Sequence, residues 1–80
     1  MKKGIHTSER VRLCELLRRE RRNAGLTQKQ IAKLLCVPQS FASKYEAGER
    51  RLDIFELMVV CKAMKSPFLP FIRKLERLAQ

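Results

Sequence analysis

Apolar residues recur along the chain at helical spacing, in short blocks bounded by caps and breakers. The sharpest block follows Leu26. Thr27 is a good N-cap, Gln30 three residues on completes a capping box, and Leu26 and Ile31 occupy the hydrophobic staple positions. Ile31, Ala32, Leu34 and Leu35 then fall at the spacing of a helix too short to stand alone, so it must pack on another element. Cys36-Val37-Pro38 interrupts the pattern. Pro38 suits a first helical turn, which predicts a second helix over 38–47, with Gly48 as its stop. At about 100° per residue, Ala42 and Tyr45 share one side of this helix and Gln39, Ser40, Ser43, Lys44 and Ala47 the other. One side suits a core; the other is small, polar and cationic.

Three further helices flank this pair. The first is expected from Thr7 or Ser8 to Ala24, with Val11, Cys14, Leu17 and either Leu13 or Leu16 turned inward, and Gly25 ends it. Asp53 with Glu56 makes a capping-box-like start for the next, and Leu52 with Leu57 a staple. Its stripe of Leu57, Met58, Val60, Cys61 and Met64 reads as core. The last segment, 66–80, is ambiguous at its start: Pro67 suits a first turn, but Pro70 would then fall inside the helix, which could instead begin at Pro70. Phe68, Leu69, Phe71, Ile72, Leu75 and Leu78 outnumber what a small core absorbs. Phe68, Phe71, Ile72, Leu75 and Leu78 are therefore expected at a homodimer interface, the alternative being that they close the domain's own core. The fold class is all-α, in a single domain over 1–80 without repeat or linker.

Composition narrows the partner. Lys and Arg number 18 against 8 Asp and Glu, a net charge of +10 on 80 residues, which favours nucleic acid or an anionic membrane surface. No apolar run approaches the 18 or so residues of a membrane span and no signal peptide opens the chain, so the expectation is a cytoplasmic, nucleoid-associated protein with no membrane partner. So short a chain buries only about 60% of its extended surface, and a dimer partner would add stability.

Two helices joined by a tight turn, the second carrying hydrogen-bonding side chains near its N-terminus, make a helix-turn-helix, here over about 27–47, that lays its second helix in the DNA major groove. Gln39 can place its amide on adenine N6 and N7, a pairing that discriminates by about 1–3 kcal/mol. Ser40 and Ser43 can reach base edges or phosphate, and Lys44 guanine O6/N7 or a phosphate oxygen. Phe41, between the two faces, suits core-edge packing better than contact with a thymine methyl. Thr27 and Gln28, at the head of the first helix of the pair, are placed by the helix dipole to bind phosphate.

The stretch resembles the lambda-repressor-like (Xre or Cro type) helix-turn-helix family. The match rests on Gly25, Leu26, Thr27, Gln28, Ile31, Ala32, Val37, Gln39, Ser40, Ala42, Ser43, Lys44, Tyr45, Glu46, Gly48 and Arg50, and covers about residues 9–66. It implies five helices, a prokaryotic or phage origin, an ion pair of Arg21 with Glu46 joining the first helix to the third, and Arg50 and Arg51 as backbone grips beside the groove. Two positions depart from the family pattern. Cys36 replaces the usual turn glycine, so a positive φ there carries strain on the order of 1 kcal/mol. Pro38 replaces a Ser or Thr cap and offers no side-chain acceptor.

The function expected is a sequence-specific regulator of transcription on double-stranded DNA, a homodimeric repressor with half-sites about one helical turn, ~34 Å, apart. Alternatives of the same fold are an antitoxin, with a toxin as protein partner, or a restriction-modification controller. From another class comes an adaptor docking protein through its last helix. Catalysis and cofactors are not expected. His6 is the single histidine, Cys14, Cys36 and Cys61 lack metal-ligand spacing, and no phosphate-cradling glycine loop or carboxylate pair is present. Cys14 and Cys61 read as reduced core thiols and Cys36 as a structural thiol of the turn.

Overall fold

A computed structural model describes residues 8–78 as five helices: α1 (Ser8–Asn23), α2 (Gln28–Leu35), α3 (Gln39–Ala47), α4 (Ile54–Ala63) and α5 (Phe68–Leu78). His6 and a helix start at Thr7 lie outside the described residues. α1 packs on α3 and α5, α2 on α3 and α4, and α4 on α5.

The helix ends follow from local chemistry. The Thr27 hydroxyl accepts from the Gln30 amide at 3.0 Å while the Gln30 side chain accepts from the Thr27 amide at 2.8 Å. Asp53 and Glu56 repeat this reciprocal cap at the head of α4, at 2.7 and 2.9 Å. Each pair satisfies donors that a helix start leaves without an intrahelical acceptor. α2 ends on Cys36 in the left-handed region, at φ 60°, its amide bonding back to the Ala32 and Lys33 carbonyls. A side chain there stores strain that glycine would not. Gly48 closes α3 the same way at φ 81°.

α5 begins at Phe68, not at Pro70. Pro70 is its third residue, where the missing N–H would have had no intrahelical acceptor. The Phe71 amide closes the first turn on the Pro67 carbonyl at 3.0 Å.

The core is built from Leu16 and Leu17 of α1, Ile31, Ala42 and Tyr45 of the helix pair, Val60 and Cys61 of α4, Met64 just after it, and Phe71 of α5. Three expectations fail here. Val11 is 55% exposed, because the inward stripe of α1 runs through Leu13, Leu17 and Glu20 and Val11 lies almost opposite it. Met58 likewise points out, since the inner face of α4 is set by Leu57, Val60 and Cys61. Phe71, expected at a dimer interface, is fully buried in the core, and Phe68, Ile72, Leu75 and Leu78 are half-buried against it. Phe71 therefore closes the monomer's own core and is not free for a partner.

α1 also buries a charge. Glu20 accepts from the Ser66 hydroxyl at 3.1 Å and from Lys74 Nζ at 3.0 Å, joining α1 to the α4–α5 turn and to α5. A buried carboxylate needs such partners, because taken from water unpaired it is strongly destabilising.

Candidate nucleic-acid interface

α3 divides as a two-faced helix should. Ala42, Tyr45 and Glu46 are buried, Phe41 is half-buried, and Gln39, Ser40, Ser43 and Lys44 are all exposed. Pro38 precedes the helix with φ −64° and ψ 154° and makes no side-chain cap, so the first turn is closed by the Phe41 amide on the Pro38 carbonyl at 3.0 Å. The exposed set, at positions i, i+1, i+4 and i+5, forms one strip of short polar side chains with a cation at its end. Such a strip offers amide, hydroxyl and ammonium groups to base edges and phosphates.

Behind the strip, Glu46 fixes the helix to its neighbours. Arg21 Nε donates to Oε2 at 2.7 Å and Arg21 Nη2 to Oε1 at 3.1 Å, a two-point pair in which the Glu46 side chain is 1% exposed. Arg21 Nη1 also donates to the Leu26 carbonyl at 2.8 Å. Gln28 Nε2 donates to Glu46 Oε1 at 3.0 Å, and Arg18 Nη2 reaches the Glu46 carbonyl at 3.4 Å. One carboxylate thus gathers α1, α2 and α3. Sequence reasoning found the Arg21 pairing through resemblance and missed Gln28 and Arg18, whose approach depends on how α2 and α1 cross α3.

The residues expected on phosphate are placed unevenly. The hydroxyl and amide of Thr27 are both engaged in the cap of α2. Gln28 directs one amide hydrogen to Glu46 and keeps its second. Arg51 is exposed on the loop before α4. Arg50 is partly engaged within the protein. Its guanidinium pairs with Glu56 at 3.2 and 2.9 Å, donates to the Arg51 carbonyl at 2.8 Å, and lies 4.2 Å from the centre of the Phe41 ring. That combination of a bidentate ion pair and a cation–π stack braces the α3–α4 loop and engages three of the five guanidinium donors. Glu56 was legible as the reciprocal cap of Asp53; nothing along the chain marks it also as the partner of Arg50.

Electrostatics follow the same geometry. The Arg50 hydrogen bond holds the Glu56 carboxyl below its usual range, helped by the Asp53 amide, and Glu56 raises Arg50 in return. Burial pushes the Tyr45 phenol up, with the Glu46 charge adding to it. Burial also drives the Cys61 thiol to about 11, Glu20 contributing, and keeps it protonated at neutral pH. Cys14 is raised by burial and donates to the Tyr45 carbonyl at 3.4 Å, while Cys36 is exposed in the turn. Among the described residues no cluster of His, Cys, Asp or Glu is arranged to hold a metal ion, and no helix is long and apolar enough to cross a membrane.

A family model described as helix-turn-helix matches residues 17–71. The chain belongs to the lambda-repressor-like, or Xre, helix-turn-helix family, a class of DNA-binding regulators. Among solved structures it is similar to an XRE-family like protein from Pseudomonas syringae pv. tomato str. DC3000, at 41% identity and a TM-score of 0.87, over 98% of this chain and 95% of that one. No curated protein matches the chain.

Proposed function

We propose that the chain is a sequence-specific transcriptional repressor that binds double-stranded DNA as a homodimer and reads the major groove with Gln39, Ser40, Ser43 and Lys44. The observation that carries this reading is the division of α3: its exposed strip makes no bond within the protein among the described residues, while its opposite face is anchored through Glu46. A helix rigidly held and left polar on its outer face suits insertion between phosphate backbones. The net charge of +10 supplies the field that draws it there.

Positioning on the backbone falls to Arg51, the second amide hydrogen of Gln28 and the first-turn amides of α2 that follow Thr27, which the helix dipole favours for anions. Arg50 serves this set indirectly, by holding the loop that presents Arg51.

Selection from a random duplex pool at about 150 mM salt, where non-specific binding is weak, tests the reading. Enrichment of a two-fold symmetric motif is expected, with Gln39→Ala relaxing preference at one position per half-site by about 1–3 kcal/mol while salt-dependent binding persists. Recovery of DNA with no shared motif would overturn it.

A further inference from the structure

α4 is apolar on more than its inner face. Leu57, Val60 and Cys61 point into the core, yet Ile54, Phe55, Met58 and Val59 stand outside at 59, 74, 45 and 55% exposure. A helix that is hydrophobic nearly all round is one that its working state buries on both sides. The outer residues form two parallel i, i+4 rows, 54 with 58 and 55 with 59, which is the ridge that packs into the groove of a facing helix. Hollows flank the ridge. One, of about 290 Å³, is bounded by Leu35, Val37 and Phe41 on the side of the helix pair, and the other by Lys62, Lys65, Pro67 and Phe68 on the side of α5.

We infer that this ridge is where a second copy of the chain docks, α4 against α4, an interface that rests on the dimeric reading proposed above and gives it a surface. Charge decides the occupant. Each chain carries +10, so two copies can meet closely only where cations are missing. From Asp53 to Cys61 there is none, the nearest on that side being Lys62 and Lys65 at the edge of the α5 hollow, and the acid on α4 there, Glu56, is already held by Arg50. An acidic protein would be drawn to the arginine-rich faces instead, where its charge is matched.

The area is adequate for a modest dimer. The four outer side chains expose roughly 500 Å² of largely apolar surface, the size of a monomer's largest patch, which is often a functional one. That is less than the ~800 Å² per partner of an ordinary specific interface, which makes the contact a weak and reversible one. The arrangement keeps the α3 strip clear: Phe41 turns toward the hollow beside α4, whereas Gln39, Ser40, Ser43 and Lys44 lie on the outer strip.

Sedimentation velocity of the full chain without DNA, from micromolar to near-millimolar concentration, tests this directly. The wild type is expected to be a reversible dimer, and Phe55→Lys with Val59→Lys to raise its dissociation constant at least ~10-fold while leaving the thermal melt in place. Should the double variant melt early, Phe55→Ser, at the most exposed of the four positions, takes its place. A wild type that stays monomeric throughout, and so keeps the ridge for a different protein, overturns the inference; so does a dimer whose dissociation constant the substitutions do not change. Binding to a duplex with a single half-site separates this from the DNA-reading proposal: the variant is expected to bind it as the wild type does, and failure of both to prefer any sequence defeats the reading whatever the oligomeric state.

Discussion

Arg21 and Glu46, 25 residues apart, meet in a buried two-point ion pair of 2.7 and 3.1 Å. Its geometry is that of a fork on a carboxylate, the form in which an arginine is most strongly oriented. Glu46→Ala removes the anion and leaves Arg21 buried without compensation, the case in which a broken pair costs about 3–5 kcal/mol. Denaturant unfolding is expected to show that loss, while base preference in a binding selection stays unchanged, because no side chain of the exposed strip is altered. Altered preference at full stability would refute the structural role.

Tyr45 is buried at 2% exposure, and its hydroxyl has no hydrogen-bond partner among the described residues. Tyr45→Phe removes a donor that folding takes out of water without replacement, so the variant is expected to gain about 1 kcal/mol. The ring itself keeps its edge-on contact with Phe41, whose centroid lies 5.7 Å away at 82°. The midpoint of urea unfolding reads the change; a clear fall would show the hydroxyl to be satisfied.

The Glu56 carboxyl sits below its ordinary 4.5 in the folded chain, through Arg50 first and the Asp53 amide second. A depressed carboxyl binds fewer protons folded than unfolded, so its contribution is complete above about pH 4.5 and disappears as pH falls through the lower folded value. Melting temperatures followed from pH 7 to pH 3 are expected to drop in the wild type, and less steeply in Glu56→Gln. The pair is solvated, so the difference between the curves should be small and should shrink further in salt.

What was legible in the chain is what its neighbours along the sequence decide. Thr27 with Gln30 and Asp53 with Glu56 are reciprocal caps three residues apart, and Gly25 and Gly48 are stops, so helix positions followed from local chemistry alone. Facing was harder. Val11 and Met58 were expected inward and point out, because an apolar residue near a stripe's edge is turned by the packing of the whole helix rather than by its own spacing. Phe71 is expected at a partner because the size of the core cannot be counted without knowing that α1, α4 and α5 meet around it. Arg50 shows the same limit in the candidate interface: the family resemblance implies a phosphate grip, and only the fold brings Phe41 and Glu56 to it.

The partition of α3 reaches beyond binding. Its nine residues hold two sets that do not overlap: one that keeps the helix in place and one that faces outward with no task in folding. On the DNA-reading proposal, a substitution at Gln39 or Ser43 would redirect the molecule to a new address at almost no risk to its stability, while Ala42, Tyr45 and Glu46 tolerate little change. Targets so read would drift quickly on a scaffold that stays still.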